Sequence, residues 1–170
     1  DPYTELPDLK EKVKRDLEAR YGLQNQIHFL YESSLDIRMK MLDREGSAGI
    51  RFFSIDGNHT EKYVLNDLKI AERILVNGGI IAIDDYFDSY SPGVSVGVTR
   101  FFIENRNNRL AILVSGGNKL FLTTKEDHLM YRLLIKKFTD IENVKGCSDQ
   151  EWFGYPVLFI ENLLTDNLSL

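Results

Sequence analysis

The chain has 170 residues with 43% hydrophobic and 28% charged content and a net charge of −5, which fits one globular domain. Because the lysines and arginines are scattered among acids and form no basic stripe, we expect no nucleic-acid partner. With no run of about 18 apolar residues, no signal-peptide pattern and a single cysteine, the sequence excludes a membrane span and a disulfide framework and favours a cytoplasmic protein.

The first part of the chain predicts a helix, a strand and a second helix. Apolar residues recur at every fourth position ahead of Gly22, as in an amphipathic helix: Leu9, Val13, Leu17 and Tyr21. Aromatic and β-branched residues over 26–31 predict a strand. Ser33 and Ser34 are the predicted caps of a helix whose apolar face carries Leu35, Met39 and Leu42.

Two further strand–helix units follow. Residues 49–55 predict a strand, and residues 80–83, which are all apolar, predict a strand buried on both faces. The helix between them is predicted to end at residues 77–79, an Asn-Gly-Gly run. Its apolar stripe consists of Val64, Leu68, Ala71 and Leu75. Another helix is predicted over residues 94–104.

The pattern changes towards the end of the chain. Residues 110–114 and 119–122, joined by a Ser-Gly-Gly-Asn turn, predict a β-hairpin. A long helix over 126–138 and a last strand near 155–160 follow. Strands that alternate with helices predict parallel crossovers and helices on both faces of the sheet. The predicted fold is therefore α/β, a doubly wound and mostly parallel sheet with an antiparallel C-terminal hairpin strand.

Acidic residues follow two of these strands, at the position where ligands bind in such sheets. Asp56 follows the second predicted strand, and Asp84 and Asp85 follow the third. Neighbouring strands would bring these carboxylates together, and their repulsion favours a hard cation such as Mg²⁺, with Mn²⁺ and Ca²⁺ compatible with the same ligands. In the alternative interpretation, Asp56 caps the next helix and the acidic pair is a solvated part of a loop.

His59 lies three residues after Asp56, at the predicted start of a helix on the same edge. A neutral imidazole there is a candidate general base for a substrate hydroxyl. The alternative is a helix-start residue that is hydrogen-bonded to the loop. His28 and His128 are expected to be structural or surface residues. Aromatic residues after the acidic pair are candidates for a substrate-pocket wall or for the core: Tyr86, Phe87 and Tyr90.

Taken together, these motifs resemble the class I methyltransferases of the macrocin O-methyltransferase and catechol O-methyltransferase-like group. The resemblance is carried by residues 53–60, 67–68 and 77–86, and is extended by residues 1–2, 21–23 and 118–122. It implies a Rossmann-like sheet with the strand order 3-2-1-4-5-7-6. It also implies that residues 1–170 form a single methyltransferase domain.

The resemblance implies methyl transfer from S-adenosylmethionine to a hydroxyl group of a small molecule or a sugar. Metal-dependent members hold Mg²⁺ at positions that match Asp56, Asp84 and Asp85, and several carry a general base at the position of His59. The implied cofactor contacts are Asp1 at the ribose, Ser33 and Ser34 beside the adenine, and Asp56. The expected partners are a small-molecule hydroxyl substrate and, as an alternative to a monomer, a second copy of the chain in a homo-oligomer.

The sequence departs from the family in its N-terminal part. No glycine-rich turn follows a strand, and Asp1 would end a strand that the chain lacks. We therefore expect the chain to be the C-terminal portion of the fold, N-terminally incomplete, and to bind cofactor poorly alone. The alternative is a non-catalytic or degenerate methyltransferase-like module used for assembly or carbohydrate binding. A nicotinamide-dependent enzyme needs the same glycine motif and gives the acidic pair no role.

Overall fold

The computed structural model of the chain describes residues 7–22, 30, 32–37, 49–161 and 163. The chain divides into two compact units, Asp1–Arg38 and Met39–Leu170. The strand predicted over 26–31 lies, apart from Leu30, outside the described residues. The single domain predicted over residues 1–170 stays a prediction.

The first unit contains the predicted amphipathic helix, α1 (Pro7–Tyr21). Gly22 follows it with a φ of 65°, the left-handed conformation that commonly ends a helix. Ser33 opens a short turn, since its hydroxyl accepts the N–H of Leu35 at 3.3 Å and its carbonyl accepts the N–H of Asp36 at 2.8 Å. The remainder of the helix predicted to carry Met39 and Leu42 lies outside the described residues.

The second unit is a six-stranded sheet with three helices among its described residues. Its elements are β1 (Ile50–Ile55), α2 (Glu61–Ile74), β2 (Leu75–Ile83), α3 (Pro92–Glu104), β3 (Leu110–Gly116), β4 (Lys119–Thr124), α4 (Lys125–Ile141), β5 (Cys147–Trp152) and β6 (Tyr155–Ile160). The strand order is β1-β2-β4-β3-β6-β5. Four strands, β1, β2, β3 and β6, run in one direction, and β4 and β5 run in the other.

This topology confirms the predicted α/β fold. The run β1-β2-β4-β3 corresponds to the 4-5-7-6 part of the expected family order. The predicted hairpin is formed by β3 and β4, which places the antiparallel β4 between β2 and β3. Beyond β3 the sheet continues with the β5–β6 hairpin, of which the sequence predicted only the second strand.

Helices cover both faces of this sheet, as predicted for a doubly wound fold. On one face, α2 and α3 pack against strand residues such as Ile81 and Ile83. The helical side chains buried there are Val64, Leu68, Ala71, Val94, Val98 and Phe101. On the other face, Tyr131 and Ile135 of α4 pack against a second apolar cluster that includes Ile80. The alternation of Ile80 and Ile81 between the two faces explains why β2 is apolar throughout.

The junction of α2 and β2 differs from the prediction. The helix ends at Ile74, and Leu75 is already the first residue of β2, where it pairs with Ile50. The register then shifts so that Phe52 pairs with Ile80. Gly78 lies in this irregular stretch with a φ of 73°, and its N–H donates to Asp127 at 2.7 Å. The predicted helix terminator therefore forms a bulge, because contacts with the start of α4 hold it there.

None of the helices in the described part of the chain combines the length and the apolar composition of a membrane span.

Candidate active site

The carboxyl ends of β1 and β2 lie side by side. The two strands are parallel, with Ile55 opposite Ile83, and the pairing is extended when the N–H of Asp84 donates to the carbonyl of Ile55 at 3.0 Å. The residues that follow both strands therefore emerge at one edge of the sheet. This arrangement positions Asp56 next to Asp85.

Three side chains converge at this edge. The Nε2 atom of His59 lies 3.7 Å from an oxygen of Asp56 and 3.3 Å from an oxygen of Asp85. One ligand atom from each of the three residues falls within 4.8 Å of the others. The side chains of His59 and Asp85 are 37% and 26% exposed, and that of Asp56 is 60% exposed. The cluster is thus partly sheltered and still open to a ligand.

Asp84 has a different environment from its neighbour. Its carboxylate forms an ion pair with the Lys119 ammonium group and accepts the N–H of Asp85 at 3.0 Å. Burial by itself would raise the pKa of Asp84, but the hydrogen bonds from Lys119 and from the Asp85 N–H outweigh it, so the pKa lies below the ordinary value. Asp84 therefore stays ionised and engaged with a lysine, outside the Asp56–His59–Asp85 cluster.

The turn of the β3–β4 hairpin fixes the loop that carries Asp85. The Asn118 amide donates to Asp85 at 2.6 Å, and its side-chain oxygen accepts the N–H of Phe87 at 3.0 Å. The Asn118 carbonyl accepts the N–H of Tyr86 at 3.1 Å. Asp85 itself has a φ of 57°, an uncommon conformation that a short polar side chain tolerates. These bonds hold Asp85 in the orientation that faces His59.

The end of β6 supports the same hairpin turn. A Cβ atom added to Gly116 would lie 1.9 Å from the carbonyl oxygen of Ile160, and one added to Gly117 would lie 2.6 Å from the carbonyl oxygen of Leu163. Gly117 also has a φ of 55°. The turn that carries Asn118 is therefore in close backbone contact with the segment that follows the last strand.

On its other side, His59 contacts the start of α3. Its Nδ1 atom lies 2.9 Å from the hydroxyl oxygen of Ser91, and the Ser91 hydroxyl donates to Asp88 at 2.7 Å. The second oxygen of Asp88 accepts the N–H of Tyr90 at 3.1 Å. These hydrogen bonds from Tyr90 and Ser91 lower the pKa of Asp88 below its ordinary value. His59 is therefore held between an acidic cluster at Nε2 and a serine at Nδ1.

A cavity of about 490 Å³ opens beside His59. Its walls come from the start of α2, including Asn58, Thr60 and Glu61, and from the start of α3, including Tyr90 and Ser91. The ring of Tyr90 is 94% exposed. The cavity therefore offers polar groups and an accessible aromatic face next to the histidine.

The other two aromatic residues after the acidic pair, Tyr86 and Phe87, have different surroundings from Tyr90. Tyr86 and Phe87 form a cluster with Trp152 of β5, with ring centroids 5.7 and 5.9 Å from the indole, and Tyr86 packs against the main core. Phe87 is 47% exposed. Tyr86 thus takes the predicted core role, while Tyr90 lies in the cavity wall.

The remaining residues singled out from sequence have different outcomes. Asp1 and His28 lie outside the described residues. Ser33 and Ser34 lie in the first compact unit, and their predicted cofactor contacts stay predictions. His128 is buried and its Nε2 lies 2.8 Å from the carbonyl oxygen of Ile112. Burial lowers the pKa of His128, which fits its expected structural role.

Four residues of the site were not identified from the sequence: Asp88, Ser91, Asn118 and Lys119. A weak signal existed for Ser91, because a serine followed by a proline is typical of a helix start. That signal predicts a cap and not a contact with a histidine 32 residues away. Asn118 and Lys119 were assigned to the hairpin only, since the implied strand order places β4 beside β2 but does not show which side chains of the turn reach the aspartates.

Comparisons with known proteins concern the family and the fold. A family model described as a methyltransferase domain matches residues 1–86, which is 86 of 170 residues. An apo structure of a TDP-rhamnose 3'-O-methyltransferase, an enzyme in calicheamicin biosynthesis, is similar in fold, with a TM-score of 0.51 and 15% identity. The match covers 67% of this chain and 50% of that one, so the chain spans half the length of that enzyme. No curated protein matches the chain.

Proposed function

Because this chain belongs to the methyltransferase domain family, we propose that its full-length protein transfers a methyl group from S-adenosylmethionine to a hydroxyl of a small molecule or a sugar. The observation that supports this proposal is the convergence of Asp56, His59 and Asp85, of which His59 also lines an open cavity. A base, two carboxylates that can hold a cation and room for an acceptor suit metal-assisted O-methylation. The histidine favours oxygen as the acceptor atom, since a hydroxyl must lose a proton when it is methylated.

The cluster is chemically suited to a divalent cation. Carboxylate oxygens of Asp56 and Asp85 and the Nε2 atom of His59 lie within 4.8 Å of one another. Two carboxylates match a hard ion such as Mg²⁺, whereas a nitrogen ligand would favour Mn²⁺ or a later transition metal. We infer that Asp56 and Asp85 hold Mg²⁺, and that Asp84, engaged by Lys119, supports Asp85 by accepting its N–H. When bound, the cation would orient the acceptor hydroxyl and increase its acidity.

We infer that His59 removes the acceptor proton. A bound acceptor would need to present its hydroxyl to Nε2, which would take the proton as the acceptor oxygen bonds to the methyl carbon. The bound donor would supply the methyl group, with S-adenosylhomocysteine as the leaving group. Asp56 and Asp85, at 3.7 and 3.3 Å from Nε2, stabilise the imidazolium that results. The walls of the cavity supply proximity by holding the acceptor against the histidine.

Of the predicted cofactor contacts, Asp56 alone lies in the second unit. S-adenosylmethionine supplies the methyl group when bound, and the residues that hold its methionine part are not assigned in this chain. The experiment therefore uses the full-length protein.

Isothermal titration of the full-length protein with S-adenosylmethionine and separately with Mg²⁺ tests the proposal. We expect saturable heat from both ligands, followed by transfer of label from methyl-labelled donor to a hydroxylated acceptor. The double variant Asp56→Asn/Asp85→Asn should lose the Mg²⁺ signal and keep its fold by circular dichroism. Absence of any cofactor binding would overturn the enzyme hypothesis and favour the non-catalytic module.

A further inference from the structure

The outer face of α4, which points away from the sheet, is largely apolar. Tyr131 and Ile135 pack against the sheet, and His128 and Thr139 are buried on the same side of the helix. The opposite side, which we call the α4 stripe, carries six large apolar side chains that are 50–68% exposed: Leu129, Met130, Leu133, Leu134, Phe138 and Ile141. Single apolar residues are ordinary on a protein surface, but a continuous stripe of this length marks a surface that binds a partner.

Two opposite charges lie within the α4 stripe. Glu126 and Lys137 are exposed, and Met130 and Leu133 lie between them on one line along the helix, since these four residues follow one another at steps of three or four positions. One oxygen of Glu126 accepts the Asn77 amide at 2.5 Å, which holds the carboxylate at the start of α4. The stripe therefore has an acidic end and a basic end on either side of an apolar middle.

This order of charges is complementary to itself in the reversed direction. In an antiparallel pair of α4 helices related by a twofold axis, each Glu126 lies opposite Lys137 of the other copy when Met130 lies opposite Leu133. A single register thus matches the charges and the apolar side chains at the same time. A different segment or a different protein would not require this symmetry, so the pattern favours a second copy of the chain as the occupant.

We propose that α4 is the surface through which two copies of this protein associate, as an antiparallel helix pair with Glu126–Lys137 ion pairs at both ends of the apolar middle. Burial of the stripe drives the association, and the ion pairs fix its register. The proposal goes beyond the proposed function and is independent of it. α4 lies on the opposite face of the sheet from α2 and α3 and supplies no residue of the Asp56–His59–Asp85 cluster.

Sedimentation velocity of the full-length protein over a range of concentrations tests the proposal, and we expect a reversible equilibrium between monomer and dimer. Leu133→Asp should raise the dissociation constant by about 100-fold or more, because each new carboxylate would be buried without a partner. Ile103→Asp is the matched control. Ile103 is 57% exposed on α3, on the other face of the sheet, and this variant should dimerise as the wild type does.

Reversal of the charges tests the antiparallel register. Lys137→Glu and Glu126→Lys should each raise the dissociation constant by about tenfold or more, because like charges then lie opposite each other at both ends of the pair. The double variant Glu126→Lys/Lys137→Glu should regain most of the affinity, since opposite charges face each other again. Lys69→Glu reverses an exposed charge on α2 and is the control, with an expected dissociation constant equal to that of the wild type.

A full-length protein that stays monomeric at every concentration would overturn the proposal and would indicate that another segment or another protein covers the α4 stripe. A dimer that Leu133→Asp leaves intact, or a double charge variant that is no better than the single ones, would also overturn it. Urea unfolding far below the dissociation constant should give Lys137→Glu nearly the stability of the wild type, because the stripe is open in the monomer. None of these measurements involves methyl transfer, so a failure of the proposed function leaves the test unchanged.

Discussion

At the scale of single residues, the site depends on different surroundings for chemically similar groups. Asp84 and Asp85 are adjacent, yet one pairs with Lys119 and the other faces His59. The sequence predicted Asp56, His59 and the acidic pair from their positions after strands, because strand ends place ligands in this fold. It did not predict the division between the two aspartates, since Asn118 and Lys119 reach them from a hairpin more than 30 residues away.

Asp84 and Asp85 are expected to contribute differently to Mg²⁺ binding. Asp85→Asn should weaken Mg²⁺ binding more than Asp84→Asn, because only Asp85 lies in the cluster with Asp56. Asp84 acts through its bond to the Asp85 N–H, and losing such an outer contact costs about 10- to 100-fold in metal affinity. Calorimetric titration of both variants with Mg²⁺ measures the difference. A greater loss in Asp84→Asn would restore Asp84 as the principal ligand.

His59→Ala should lower kcat by about 10²- to 10⁴-fold, the range for removal of a general base. The affinity for Mg²⁺ should stay nearly unchanged, because Asp56 and Asp85 remain. Steady-state kinetics and metal titration of the same preparation separate the two effects. A large loss of metal binding would reassign His59 as a ligand, a role that its 3.3 Å distance from Asp85 makes geometrically accessible.

The ion pair of Asp84 and Lys119 should make the folding stability depend on pH. The pKa of Asp84 is lowered in the folded protein, so the pair stabilises the fold above the unfolded pKa of about 3.9, and this stabilisation is lost as the pH falls through the folded pKa. Lys119→Met should lower the free energy of unfolding at neutral pH by less than about 1 kcal/mol. At a pH below the folded pKa, the variant and the wild type should converge.

Urea unfolding at both pH values measures this effect, with Lys137→Met on the exposed side of α4 as the control. An equal loss of stability in Lys119→Met at neutral and acidic pH would show that the lysine acts through packing and not through its charge.

At the scale of secondary-structure elements, periodic patterns predicted most of the second unit. The helices α2, α3 and α4 and the strands β1, β3, β4 and β6 lie where hydrophobic periodicity placed them. β5 was missed because its residues are polar and it pairs with β6 alone, at the edge of the described sheet. The predicted end of α2 was wrong because the glycines that usually end a helix here form a bulge in β2, which contacts with the start of α4 hold in place.

The start of α3 packs so closely against the start of α2 that adding a single methyl group to α3 should disturb the contact. A Cβ atom at Gly93 would lie 2.3 Å from the carbonyl oxygen of His59 and 2.8 Å from the Glu61 nitrogen, both backbone atoms. Gly93→Ala should therefore separate the start of α3 from the histidine segment, at a cost of about 1–3 kcal/mol in unfolding free energy.

Gly93→Ala should lower kcat as well, because Ser91 moves with the start of α3. Chemical denaturation and steady-state kinetics provide the two measurements. Val96→Ala, which truncates a residue of the same helix that is 48% exposed, is the matched control and should change neither quantity appreciably. Unchanged stability in Gly93→Ala would show that the two helix starts are not tightly packed.

At the scale of the whole molecule, the sequence predicted the class of the fold and its relation to methyltransferases. The family match and the mixed sheet confirm both. The acceptor, the cation and the association state depend on surfaces that no local pattern specifies. The homo-oligomer stays a prediction, and sedimentation velocity of the full-length protein over a range of concentrations measures it.

The close contact between the β3–β4 turn and the segment after β6 makes the acidic cluster sensitive to changes at a distant point in the chain. A Cβ atom on Gly117 would lie 2.6 Å from the carbonyl oxygen of Leu163, so a chain shortened to end at the last strand would lose the backbone contact that supports the turn of Asn118. Truncation directly after β6 is therefore expected to disturb the contact between Asn118 and Asp85, and with it the proposed cation site, before it disturbs the helices.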